Sequence, residues 1–150
     1  MKMKRIFAFT SLLIISTISS TSMAQQSQAL HLKRVMQDLS KHMQSTTDAI
    51  AREDWDMVAK LAPQIGQHEE PPTAEKLRIL AYLGKDAARF RNYDHQTHEA
   101  AHEMQQAAQK QDGKAVIKAY GKIQTNCLAC HSNFRSGFQK HFYESLGTGK

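Results

Sequence analysis

From Leu32 onward the apolar residues recur in steps of four and three: Leu32, Met36, Leu39, Met43 and, with Thr46 or Thr47 filling the gap, Ile50. That spacing draws one apolar stripe along an α-helix and cannot serve a strand, whose side chains alternate at every residue. Polar Lys33, Gln37, Lys41 and Gln44 fall off the stripe. The pattern predicts a first long helix over residues 27–52. Beyond residue 24, Val, Ile and aromatic residues never alternate over five or more positions, and Ala, Gln, Lys, Met and Glu, all helix formers, are abundant.

The same periodicity predicts three more bundle helices. Trp55, Val58, Ala59 and Ala62 share one side of a helix over residues 53–65, whose end Pro63 and Gly66 weaken. "QHEEPPT" reads as a loop, and a short helix over 74–83 stops at Gly84. A third long helix, 86–111, turns Phe90, Tyr93, Thr97, Ala100, Met104 and Ala107 inward, and Asp112-Gly113 ends it with Gly as the stop. The fourth, 114–142, has Val116, Tyr120, Ile123, Cys127, Cys130 or His131, Phe134 and Phe138 on its inner face. The expected fold is all-α, an antiparallel four-helix bundle with one irregular connection, between helices two and three.

The N-terminus carries a different signal. A basic MKMKR precedes the apolar run IFAFTSLLIISTISS and the small-residue site Ser22-Met23-Ala24. This predicts a cleaved export signal over residues 1–24, a periplasmic location, and one four-helix-bundle domain over residues 25–150. The competing reading is a retained anchor, but the run is short and rich in Ser and Thr for a membrane span. No later stretch is apolar enough to span. Lys2, Lys4 and Arg5 go with the signal, so the formal charge falls from +6 to +3, with 17 basic residues against 14 acidic. The remaining positive charge is scattered, which argues against nucleic acid and allows an acidic protein partner.

The only two cysteines, Cys127 and Cys130, stand in "NCLACHSNFR" with His131 directly after the second. On a helix, Cys127 is i, i+3 to Cys130 and i, i+4 to His131, so all three face one way. Two such thiols can form thioethers with a haem's vinyl groups while the imidazole ligates the iron, and Cys-x-x-Cys-His is the c-type haem attachment signature. Three alternatives are weaker. A Cys127–Cys130 disulfide would close almost no loop. A thioredoxin-like pair wants a βαβ context. A structural zinc wants four ligands, which only distant histidines could complete.

"CLACHSNFR" near the end of a helical, export-tagged chain resembles the class II c-type cytochromes, the cytochrome c-prime group and its low-spin relatives. The resemblance spans essentially residues 25–150: helix order, helix lengths and the late haem motif, which in class I cytochromes lies near the N-terminus. It implies a four-helix bundle holding one haem c, covalent through Cys127 and Cys130, with His131 as an axial iron ligand. Phe134 and Arg135 match the family's "CHxxFR", which implies that Arg135 lies near the proximal face of the haem. "KRVMQDLSKHM" resembles the family's first-helix segment and places Met36 at the distal position. Six-coordinate members supply Met there and carry electrons; five-coordinate members bind NO or CO. A helical Met also packs without ligating. Met43 lies about 10 Å further along the axis, so both cannot serve one iron. Many high-spin members carry Arg one turn before the distal residue. Leu32 stands there here, beside Lys33 and Arg34.

The expected function is one-electron transfer by an exported monohaem cytochrome with iron bound by His131 and Met36, a partner redox protein, and no catalysis. The alternative is a five-coordinate NO/CO-binding protein. A third reading, haem-free, would use the histidines as metal ligands. His98 and His102 are i, i+4, but with His95 they fall off the apolar stripe and read as a solvated face. His31, His42, His68 and His141 have no partner at a telling spacing. Family members are often homodimers, though no surface stripe here demands it.

Overall fold

The computed structural model describes residues 30–144; the expected export signal and the expected start of the first helix at residue 27 lie outside the described residues. The helices are α1 (Leu32–Ala51), α2 (Trp55–Gly66), α3 (Thr73–Leu83), α4 (Ala87–Gln109), α5 (Gly113–Cys130) and α6 (Ser136–Phe142). A π-helical turn (His131–Arg135) runs α5 straight into α6, so the two form the expected fourth helix. Together with α3, a 3-10 turn (Gly84–Asp86) fills the irregular connection. Among the described residues, no helix is long and apolar enough to cross a membrane.

The two tight connections use one device. Glu53 and Gln111 both adopt φ 55°, the left-handed conformation that stops a helix. The Asp that follows then caps the next helix: Asp54 accepts from the Met57 N–H and Asp112 from the Ala115 N–H, each at 3.0 Å. Gly113 is therefore not the stop expected of it; it is the first residue of α5. It is small for a packing reason, because a Cβ there would lie 2.8 Å from the Trp55 ring at the start of α2. At the other end of α2, a Cβ on Gly66 would lie 3.0 Å from the Ala101 Cβ of α4. Gly66 thus lets α2 and α4 approach closely instead of weakening α2, which also runs through Pro63. These two contacts fix α2 and α4 as antiparallel, and the bundle is up-down-up-down.

One buried cluster fills the bundle's centre: Val58, Ala62 and Ile65 of α2, Ala100, Met104 and Ala108 of α4, and Val116 and Ile123 of α5. On α1 the fully buried positions are Val35, Thr46 and Ala49, while Leu39, Met43 and Ile50 are only partly buried. Of the expected stripe, Thr46 is fully buried and Leu39, Met43 and Ile50 pack against this cluster, whereas Leu32 and Met36 lie away from it. Small residues sit where α1 meets the bundle, and the larger ones flank that seam.

A second cluster gathers Ile79 and Leu83 of α3 with Phe134, Phe138 and Phe142. Cys130, Phe134, Phe138 and Phe142 follow one another in steps of four. An α-helix gains about 40° at each such step, or about 120° over three. The wider π turn absorbs part of that drift and keeps the three rings on one face. Phe90 of α4 meets Phe134 edge-on at 5.4 Å and stacks on Phe138 at 5.6 Å.

The start of α1 is held from a distance. His31 offers no side-chain cap. Instead the Glu75 carboxylate of α3 accepts from the His31 and Leu32 N–H groups at 2.7 and 2.8 Å. This satisfies donors that every helix start leaves open and sets a negative charge at the positive end of the helix dipole.

Candidate functional site

Between the first half of α1 and the π turn lies an open cavity of about 780 Å³. Leu32, Lys33, Met36 and Ser40 form the α1 wall; Cys130, His131, Phe134, Arg135 and Phe138 form the other; Phe90 of α4 joins them. A largely apolar recess of this size with a few converging polar groups suits a cofactor. A smaller polar groove between α4 and α5, about 340 Å³, holds no cysteine or histidine.

The structure places the site residues predicted from sequence as follows. Cys130 and His131 open onto the cavity, and Met36 faces it from α1, 39 % exposed. Cys127, one turn before Cys130, packs against the central core and does not line the cavity. Both cysteines are free thiols. Burial raises the Cys127 pKa and pushes Cys130 up to about 11, with the charges of Cys127 and Asp94 adding to the shift on Cys130. At neutral pH both are protonated, unlike the low-pKa thiolate of a thioredoxin-type pair. His131 moves the other way: burial, then the Arg135 charge, lowers its pKa. That favours the neutral imidazole, the form that ligates metal. The Cys130 thiol, a neutral imidazole and the Met36 side chain around one apolar cavity, with the Cys127 thiol one turn behind, are a set that fits haem c.

Phe134 is buried as a wall of that cavity, with the Arg89 guanidinium 5.2 Å from its ring centre. Lys33 and Arg135 are the cations that reach the cavity; Lys33 also lies 5.6 Å over the Tyr143 ring. Arg34 instead lies 3.9 Å from Asp38. Met43 packs toward the core, and its carbonyl accepts from the Tyr120 hydroxyl at 3.1 Å, tying α5 to α1.

The histidines depart in part from the expectation. His95 is exposed beside Glu99, and His102 is exposed beside Gln106. His98 does not turn to His102. Its Nε2 lies 3.5 Å from Asp94 and 3.4 Å from His68 Nε2, and His68 Nε2 lies 3.1 Å from Asp94. His68, without a partner in the sequence pattern, therefore has two in space. The hydrogen bond to Asp94 raises its pKa against the effect of burial. For Asp94, burial pushes upward, but His68 and the neighbouring His98 and His95 charges hold the carboxyl below its ordinary value. The i, i+4 pair Asp94/His98 was a usable signal in the sequence; the arrival of His68 from a loop was not.

The Cytochrome C' family model matches residues 21–135, a span that contains Met36, the whole Cys-x-x-Cys-His motif and Arg135. The chain belongs to the cytochrome c′ family. It is thus a class II c-type cytochrome on the four-helix bundle described above. Membership of the cytochrome c′ family implies haem c, and the family's members are in general electron carriers or gas-binding proteins. No curated protein and no solved structure matches the chain. The cytochrome c′ match ends with the π turn, so α6, with Phe138 on the cavity wall and Phe142 in the second cluster, lies beyond the matched span.

Proposed function

We propose that the protein is an exported, periplasmic monohaem cytochrome that carries single electrons, with residues 1–24 as its cleaved signal. Its haem is anchored through Cys127 and Cys130 and ligated by His131 and Met36. The observation that carries this reading is that Met36 and His131 face one cavity from antiparallel helices, whereas Met43 is turned to the core. When bound, haem supplies a one-electron ferric/ferrous couple. The chain's own part is to hold and tune it. Phe90, Phe134 and Phe138 exclude water from one side of the cavity and so disfavour the more charged oxidation state. Lys33 and Arg135, at the cavity wall, offer positive charge to the haem carboxylates and to an acidic redox partner. The role assigned is electron transfer rather than catalysis.

A second reading, a five-coordinate protein that binds NO or CO, is favoured by one observation: Met36 is 39 % exposed at the cavity wall. The substitution Met36→Ala separates the two. In an electron carrier it converts the haem from low to high spin and opens rapid CO binding to the ferrous form. In a gas binder the parent is already high-spin and binds CO fast, and the variant leaves both unchanged.

A further inference from the structure

The loop after α2 brings His68 against the first half of α4. Its side chain is 12 % exposed, and its ring meets that of His98 edge-on, with centres 5.2 Å apart. One ligand atom from each of His68, Asp94 and His98 lies within 4.8 Å of the other two. We propose that these three side chains form a binding site for a divalent transition-metal ion, with Zn²⁺ as the best match, separate from the Cys127–His131 motif.

The distances carry the argument. Zinc holds nitrogen and oxygen ligands tetrahedrally at about 2.0–2.2 Å, which sets its ligands roughly 3.3–3.6 Å apart. His68 Nε2 lies 3.1 Å from Asp94 Oδ1, His98 Nε2 lies 3.5 Å from Asp94 Oδ2, and the two Nε2 atoms are 3.4 Å apart, the spacing of two ligands on one zinc. A hydrogen bond and an ion pair to the carboxylate account for the first two contacts. A shared cation accounts as well for the approach of the two imidazole nitrogens, one from a loop and one from α4.

The second ring nitrogen agrees. His68 Nδ1 lies 3.1 Å from the Glu69 carbonyl oxygen, an acceptor for its N–H, so Nε2 is the nitrogen left for a metal, which would displace the proton it shares with Asp94. A ligating histidine is commonly oriented by such a bond from its other nitrogen. Asp94 and His98 are i, i+4 on one rigid helix, and His68 closes the set from the loop. Asp94 and His98 remain 51 % and 40 % exposed, which leaves room for water as a fourth ligand. Two imidazoles and one carboxylate select zinc, nickel or copper over magnesium or calcium, which prefer all-oxygen sites. A bound ion would pin the α2–α3 loop to α4.

The test is equilibrium dialysis of tag-free, chelator-treated holoprotein against zinc chloride, followed by metal analysis. One zinc per chain should bind at micromolar zinc in the presence of excess magnesium, with the haem absorption spectrum unchanged. His68→Ala and His98→Ala should each weaken binding by at least about tenfold, the loss that even an outer-sphere partner can cause. The near-isosteric Asp94→Asn should weaken it too, and it keeps the test valid if an alanine variant fails to fold by circular dichroism. A His95→Gln/His102→Gln double variant should bind zinc as the parent does. Zinc that fails to bind stoichiometrically, that survives all three ligand substitutions, or that is lost in the double variant would overturn the proposal.

Discussion

Glu75 links α3 to the start of α1, and Glu75→Ala tests how much that link holds. The carboxylate accepts two backbone N–H groups, at 2.7 and 2.8 Å, in a half-buried setting. Losing a side-chain cap costs about 0.5–2 kcal/mol. Losing negative charge at a helix N-terminus costs about 0.3–1 kcal/mol more. Water replaces the acceptor only in part at a half-buried site, so the expected total is about 2–3 kcal/mol. For a domain of this length that lowers Tm by roughly 8–12 °C. Thermal melts followed by helical circular dichroism, backed by urea titration, measure it. Glu75→Gln keeps one acceptor oxygen and should lose about half as much. Met36 lies little more than a turn from the capped end, so Glu75→Ala should also add a high-spin fraction to the haem spectrum. A Glu75→Ala variant within about 0.5 kcal/mol of the parent, the range of ordinary surface changes, would refute the reasoning.

Gly113→Ala forces a Cβ to 2.8 Å from the Trp55 ring, and overpacking of that kind costs about 1–3 kcal/mol, more than the helix propensity of Ala returns; a urea midpoint equal to or above the parent's would contradict the packing account. Intact mass of the purified holoprotein should fit a chain beginning at or near Gln25 plus one covalent haem, and Cys127→Ser/Cys130→Ser should remove the haem on a denaturing gel. A haem-loaded chain that still begins at Met1, or a native protein without haem, would count against export and attachment respectively.

The bundle was legible because four of its helices carry a sustained 3.6-residue period, and α4 and α5 bury the very positions that period selects, among them Ala100, Met104, Val116 and Ile123. On α1 the same reasoning found the helix and, with Thr46, one of its fully buried positions, but it missed Val35 and Ala49. A small residue such as Ala49 contributes almost nothing to a hydrophobic pattern. Leu32 and Met36 look like core in sequence because a cavity wall also needs apolar side chains. Gly113 was misread because a glycine after a helix ordinarily signals the left-handed stop, and here Gln111 takes that conformation. The haem motif stood out because its residues lie within five positions on one helix. Glu75 and the His68–Asp94–His98 cluster stayed hidden because each joins segments distant in sequence, and no local spacing encodes a contact between a loop and a helix.

The most direct measurement of the central claim is the spin state of the oxidised protein at neutral pH, read by electron paramagnetic resonance together with the optical spectra of both oxidation states. With Met36 and His131 as the two axial ligands, the spectrum is low-spin, and CO binds the ferrous form slowly because it must displace the methionine. A high-spin ferric spectrum with immediate CO binding would contradict methionine ligation and assign this cavity to gas binding.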